Sequence, residues 1–351
     1  MSSSRNSCVT PASRCLGKIA LVREILIAGF GSIGRRHGEN LRALGWGNVR
    51  YYRTGLSSLP DPEVETAVDS TLTAALARQP LAVVVANPTA CHLPVALAAA
   101  QAGAHLLIEK PISQHLSGVS DLEREVAERG LSVLVGYQFR FNPGLRQLRD
   151  WIQSGAIGTV VSARAHWGEY LPDMHPWEDY RQGYAAREEL GGGVLLTLCH
   201  PFDYLRWLVG DIERISAVES RRDHLEVPVD TCVDVTLAFS CGASGHIHLN
   251  FVQRPTEHRV EVIGTSGTVR WNQADDAAHL YSSATTGWQT VKPPVGFGRN
   301  TMFIDEMRHF LACVHGDAKP MCTLSDGIAA LEAVLRAKRA LAPRVRPVLV
   351  A

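Results

Sequence analysis

The stretch EILIAGFGSIGRRHGENL, residues 24–41, decides the fold. A short apolar run predicts a buried strand, and the periodic segment from residue 33 to 45 predicts a helix. Between them Gly29, Gly31 and Gly34 fit GxGxxG. The first glycine permits the tight turn, the second admits pyrophosphate to the backbone, and the third lets helix pack on strand. The helix N-terminus adds N–H groups and a positive dipole. Gly29, Gly31, Ser32, Ile33 and Gly34 are therefore candidate dinucleotide contacts.

The same grammar continues to residue 137. Strand patterns VRYY, LAVVVA, HLLIEK and LSVLVGY alternate with helical patterns at 70–78, 90–102 and 116–129. Strands alternating with crossover helices predict an α/β doubly wound parallel sheet, in which ligands lie beyond the carboxyl ends of the strands. Asn87, Pro88, His92, Glu109 and Lys110 follow or end such strands and are further candidates for the cofactor. Where an NAD-binding version carries an acid after the second strand, this chain reads VRYYRTG, with no carboxylate until Asp61. Arg53 and Thr54 stand there instead, which suits a 2′-phosphate and leans the expectation to NADP over NAD.

After residue 140 the pattern changes. Helices are expected at 143–154, 193–209, 301–315 and 325–341, around alternating stretches such as TVVSARAHWGEY, CVDVTLAFS, ASGHIHLNFV and HRVEVIGTSGTVRW. Alternation with turns at 240–242 and 264–267 predicts an antiparallel sheet with one solvated or interface face, hence an α+β domain. The expected division is a tail at 1–23, a dinucleotide-binding domain at 24–140 and a substrate-binding and oligomerisation domain at 141–351.

Lys110 would stand beside the nicotinamide, at the end of what reads as the fourth strand. The segment GGGVLLTLCHPFDYLRWLVG, residues 191–210, brings a glycine triplet and sets Thr197, His200 and Asp203 three apart on a helix. The triplet permits close approach of a ligand or of another backbone. Lys110 and His200 are the candidate catalytic pair, with His200 as acid/base and Lys110 holding the hydroxyl oxygen; a lysine depressed by positive neighbours could itself be the base. The segment 167–184, WGEYLPDMHPWEDYRQGY, reads as a loop for either substrate or an oligomer contact. If it touches substrate, Trp177, Tyr180 and Arg181 favour a charged sugar or nucleotide-sugar.

The motif GxGxxG, the EKP triplet at 109–111, GYQFRFNP at 136–143, the GGG…H segment and FIDEMRHFLACVHGDAKPMCTLSDGIAALE at 303–332 together resemble the Gfo/Idh/MocA family of oxidoreductases, over roughly residues 24–342. The resemblance implies a Rossmann domain, an α+β domain with an open, mostly antiparallel sheet, and NAD(P)-dependent hydride transfer at a carbinol or carbonyl carbon of a sugar, polyol or nucleotide-sugar. It maps the family lysine onto Lys110 and the helix histidine onto His200, and Arg140, Thr197 and Asp203 join the candidate substrate contacts. One departure stands out: many members carry Asp a turn before the histidine, where this chain has Leu196 and Thr197. Two alternatives stay open, a glycosidase of the same family that retains its NAD and a non-catalytic nucleotide-binding regulator.

Lys plus Arg and Asp plus Glu both total 35, so no nucleic-acid partner is implied. The eight cysteines form no CxxC pair, which argues against a metal site and for reduced thiols in the cytoplasm. No run is long enough for a membrane span. Residues 1–23 carry four basic residues and no acid, and read as a disordered tail rather than a transit peptide. A homo-oligomer, dimer or tetramer, is expected through the sheet face.

Overall fold

The computed structural model describes residues 23–55, 67–220, 225–284 and 287–341. Most of the expected tail, and Asp61, lie outside the described residues. The first sheet has six parallel strands, β1 (Ile25–Ala28), β2 (Val49–Tyr52), β3 (Val68–Asp69), β4 (Ala82–Val85), β5 (His105–Glu109) and β6 (Val133–Gly136). Their order, β3-β2-β1-β4-β5-β6, reverses between β1 and β4, the switch point where such sheets open a crevice. Covered on both faces, β1 and β4 are fully buried along their lengths, as continuous apolar runs in parallel sheets are. Helices α1 (Ser32–Ala43), α2 (Leu72–Ala77), α3 (His92–Gln101) and α4 (Val119–Arg129) make the crossovers. The two-residue strand β3 is too short to show a period, so the strand ending at Glu109 is the fifth and not the fourth.

The second sheet has eight strands: β7 (Val160–Tyr170), β8 (Ile212–Glu219), β9 (Cys232–Phe239), β10 (Ser244–Asn250), β11 (Val252–Gly264), β12 (Gly267–Asn272), β13 (Ala278–Ser282) and β14 (Trp288–Val291). The order is β14-β13-β12-β11-β7-β10-β9-β8, and all pairs are antiparallel except β7 with β10. Alternation sends Ala163, Ala165, Trp167, Val233, Val235, Ile247 and Leu249 into the core. The opposite face shows Arg164, His246, Arg259 and Arg270 to solvent. Strand β14 is exposed at every residue, so no alternation marks it in the sequence.

Helix α5 (Pro143–Gln153) is capped by the Asn142 side chain, which accepts from the Leu145 N–H. The expected helix over 193–209 is two helices, after the one-turn α6 (Leu171–Met174): α7 (Val194–Thr197) and α8 (His200–Val209). The cause is Pro201, which has no N–H to give the carbonyl four residues back, at Thr197. The last two helices, α9 (Arg299–Val314) and α10 (Leu324–Ala340), return to the first sheet. Arg36 stacks over Phe303 at 4.7 Å and the Asn300 amide donates to Asn40 at 2.9 Å, joining α9 to α1. A side chain at Gly327 would strike Val135, so α10 lies directly on β6.

Arg140 and Asp203, expected at the substrate, are instead each other's partners in the core. Arg140 is 2% exposed and donates from Nε at 3.0 Å and Nη2 at 2.6 Å to the Asp203 carboxylate. Its Nη1 donates to Met321 O at 2.7 Å and to Asp326 at 3.3 Å. One guanidinium thus ties the end of the first domain to α8 and α10. Breaking such a buried pair leaves an uncompensated charge. Arg140→Met should cost about 3–5 kcal/mol in denaturant unfolding, and Arg140→Met with Asp203→Leu should recover most of it. A single variant as stable as the parent would contradict this role.

Candidate functional site

The strand β1 hands the chain to α1 through the glycine turn. Gly29 takes φ of 118°, and a Cβ on Gly34 would meet Gly29 O at 2.3 Å, so the turn closes only with glycines at these positions. Gly31, the N-cap of α1, has open space where its Cβ would project. An open backbone at a helix N-terminus with no acid in its first turn fits a pyrophosphate. Ser32 is exposed beside it and Ile33 half-buried. At the end of β2, Arg53 lies with its guanidinium 5.8 Å from the Phe30 ring, and Thr54 is exposed. The neighbouring carboxylate, Asp69, is taken by Arg50 at 3.1 Å.

The end of β5 is stapled from three sides. Glu109 is buried and lies 2.7 Å from His37 Nε2. His92, expected at the cofactor, sits instead behind the loop, with Nδ1 2.7 Å from Pro111 O and Nε2 2.7 Å from Asn87 O. Burial lowers its pKa, so the ring is neutral and donates to one carbonyl at a time. Asn87 itself donates to Cys91 O at 3.4 Å, and Pro88 caps the 3₁₀ turn that follows. Glu306 of α9 joins His37 and Glu109, with one ligand atom from each within 4.8 Å of the others. Burial and the Glu109 charge push the Glu306 carboxyl well up, so it stands neutral behind the site.

Lys110 reaches from this staple across the cleft, and its Nζ donates to Thr197 O at 2.7 Å. That carbonyl is the one Pro201 leaves without a helical donor. Burial lowers the Lys110 pKa, but Tyr184, Cys199, Glu109 and Glu169 outweigh it and the net direction is up. The side chain is an ammonium at neutral pH. The Thr197 hydroxyl, expected at the substrate, is sealed from solvent with no partner among the described residues.

His200 opens α8 and is 1% exposed, edge-on to Tyr137 at 5.4 Å and Phe139 at 4.9 Å and beside Trp167 at 5.4 Å. Burial, then Lys110, His258 and Arg299, hold it well below the usual histidine range, so the imidazole is neutral. Trp167, at the end of β7 rather than in a loop, donates from Nε1 to Glu169 at 2.8 Å.

The glycine triplet serves the chain's own backbone. A Cβ on Gly192 would meet Tyr184 O at 2.6 Å, and one on Gly193 would meet Asp230 Oδ1 at 2.5 Å. Gly193 N donates to Ala185 O and Gly192 N to Arg187 O, both at 2.9 Å, clamping the turn Tyr184–Ala186. The Tyr180 hydroxyl donates to Leu225 O at 3.0 Å, and Arg181 stacks on the Tyr180 ring and pairs with Glu226 at 3.3 Å. Trp177 is 61% exposed. Leu171, Met174, His175, Glu178, Tyr180 and Tyr184 line a hollow of about water size whose lining includes neither Lys110 nor His200. His37 and Glu306, which flank Glu109 at the end of β5, are the residues there that the sequence reading passed over.

A glycine cradle at the switch point, with a lysine and a histidine facing across a two-domain cleft, defines a nicotinamide-nucleotide oxidoreductase architecture. The chain belongs to the GFO/IDH/MocA family: residues 23–137 match the oxidoreductase family NAD-binding Rossmann fold, and residues 145–270 match the GFO/IDH/MocA C-terminal domain. An uncharacterized oxidoreductase of Synechocystis is 31% identical over 139 residues, 39% of this chain and 36% of that protein. The 1,5-anhydro-D-fructose reductase of Ensifer adhaerens is 27% identical over 270 residues, 74% of this chain and 77% of its own. A solved levoglucosan dehydrogenase in complex with NADH shares the fold, with TM-score 0.79 at 19% identity over 91% of this chain and 96% of that one.

His258, stacked on Trp167 at 4.3 Å, is driven by burial down to about 3. An unfolded histidine takes its proton near pH 6.5, so the folded state loses stability as pH falls from there towards about 3. The slope belonging to one such histidine is about 1.4 kcal/mol per pH unit. His258→Gln should flatten the stability–pH curve by that amount between about pH 6 and 4. Equal slopes in denaturant titrations of the two proteins would contradict the assignment.

Proposed function

We propose that the chain is an NAD(P)-dependent oxidoreductase that interconverts a carbinol and a carbonyl on a sugar- or polyol-type substrate. The observation that carries the reading is the Lys110 ammonium held 2.7 Å from Thr197 O at the carboxyl end of β5, beside a neutral His200. When bound, the nicotinamide accepts or returns the hydride. The protein's part is to bind, orient and move a proton. Gly29, Gly31, Ser32, Ile33 and Gly34 would cradle the pyrophosphate, and Glu109 the ribose side of the nicotinamide. Lys110, with further N–H donors beyond the one on Thr197, holds the reacting oxygen. His200, neutral and water-excluded, takes the hydroxyl proton in oxidation and gives it back in reduction.

Arg53 and Thr54 support a lean to NADP, since Asp69 is already committed to Arg50. The substrate reading shifts from the nucleotide-sugar that Arg181 suggested. Arg181 is answered by Glu226 and Asp179, and Arg140 by Asp203, so a neutral, hydroxyl-rich sugar or polyol fits better. Exposed Val161, Val218, Tyr281 and Trp288 on the eight-stranded sheet support a homo-oligomer, and six free thiols among the described cysteines support a reducing, cytoplasmic setting. No helix among the described residues is long and apolar enough to cross a membrane.

Lys110→Ala and His200→Ala should each lower turnover by about 10²–10⁴-fold on a sugar or polyol, followed by nicotinamide absorbance. Near-parental turnover in both would overturn the assignment. Dissociation constants for NADH and NADPH test the cofactor lean; strong preference for NADH would end it.

A further inference from the structure

Behind the carboxyl end of β5, three segments of the chain bring His37, Glu109 and Glu306 together, with one ligand atom from each within 4.8 Å of the others. His37 and Glu306 are 0% exposed and Glu109 is 6% exposed. His37 and Glu109 satisfy each other at 2.7 Å. Neither oxygen of Glu306 has a hydrogen-bond partner among the described residues, and neither has His37 Nδ1. A carboxyl group sealed from water in this way is short of partners in either protonation state: ionised it lacks a counter-charge, and protonated it lacks an acceptor for its O–H. A cation between the three side chains removes both deficits. The frame around them is fixed by other contacts. Arg36 stacks over Phe303, the Asn300 amide donates to Asn40, and the His37 ring meets Phe303 edge-on at 6.2 Å. A Cβ on Gly136 would meet Glu109 Oε2 at 3.2 Å, so β6 backs that carboxylate closely.

We propose that His37, Glu109 and Glu306 bind a divalent first-row transition ion such as Zn²⁺, which clips α1 and α9 to the strand end that bears Lys110. Two carboxylates and one imidazole make a borderline donor set: the nitrogen disfavours Mg²⁺ and Ca²⁺, and the lack of a thiolate disfavours Cu⁺. Ligand atoms around a tetrahedral Zn²⁺ stand about 3.4 Å apart. Here they range from 2.7 Å for His37 and Glu109 to at most 4.8 Å, so small side-chain turns bring all three to bonding distance. The two carboxylates balance the charge of the ion, which takes the place of the proton on Glu306. His37 coordinates through Nε2, and its partnerless Nδ1 carries the ring proton. Glu109 gives Oε1 to the ion and keeps Oε2 for the Lys110 N–H at 3.4 Å. With its ligands buried, the ion is structural, holding Glu109 and with it Lys110 in place. Cysteine spacing does not reveal such a site, because its ligands are oxygen and nitrogen from positions 37, 109 and 306.

The test uses the full chain, freed of metal with a chelator and then titrated with Zn²⁺ alone, so no cofactor or substrate enters. The parent protein should take up a single tightly held ion per chain, and its melting temperature should climb with Zn²⁺ concentration. Glu306→Gln keeps the shape of the neutral acid. It should therefore fold as the metal-free parent does, yet hold Zn²⁺ more than about 10²-fold more weakly. Co²⁺ in place of Zn²⁺ should give the parent visible d–d bands that are missing in Glu306→Gln and in His37→Gln. A parent that takes up no ion would overturn the proposal and leave Glu306 neutral, bridged by water. Equal Zn²⁺ uptake in the parent and Glu306→Gln would overturn it too, placing an adventitious ion only, on surface histidines such as His246. Should Glu306→Gln fold poorly, His37→Gln, changed on a separate helix, decides in its place by the same titration.

Discussion

The site depends on one hydrogen bond, from the Lys110 ammonium to the Thr197 carbonyl. A carbonyl inside a helix is spoken for. This one is not, because the residue four ahead is Pro201, which has no N–H to offer. The proline therefore does two things at once: it splits the expected helix into α7 and α8, and it leaves an acceptor aimed at the other domain. A lysine from β5 fills that acceptor, and the break sets His200 in the first turn of the new helix. The placement of Lys110, the placement of His200 and the domain contact follow from one missing proton donor.

Everything around this bond serves to keep its two ends still. His37 and His92 hold Glu109 and Pro111 on either side of Lys110, and Glu306 closes the back of the same strand end. On the far side the glycine triplet locks α7 against the turn of Tyr184, and Asp230 accepts from the Leu195 N–H at 2.8 Å. Arg140 and Asp203 then bind the two halves. Burial holds His200 and His92 neutral and Glu306 protonated, while Glu109 and Glu169 keep Lys110 charged against it. Protonation is thereby assigned by the fold before any ligand arrives.

Much of this was legible in the sequence. The glycine turn, the alternation of strands and helices, and Lys110 at a strand end all follow from local pattern, since parallel strands and their turns obey short-range rules. The long strands β7, β9, β10 and β11 announced themselves by alternation, whereas β3 was too short and β14 too exposed to carry any pattern. Pairing across the molecule was the harder part. Arg140 stood among the candidate substrate contacts through the GYQFRFNP resemblance and Asp203 as a polar position on an apolar helix; that they neutralise each other over 63 positions in the chain is a tertiary fact. His92, expected at the cofactor, lies between two backbone carbonyls, and the glycine triplet, read as an approach for a ligand or for another backbone, is used by the chain's own turn. His37 and Glu306, gathered at Glu109 from distant segments, lacked any signal of their own. The one available clue to the helix break was Pro201 following His200, which the periodic pattern around it concealed.

The most direct test is the ionisation of Lys110, followed by ¹⁵N resonance of its side-chain nitrogen in the parent protein. Pinned on Thr197 O among Glu109 and Glu169, the amine should remain protonated through neutrality and titrate above the ordinary lysine range. An amine losing its proton near about pH 7–8 would make Lys110 the general base and contradict the account.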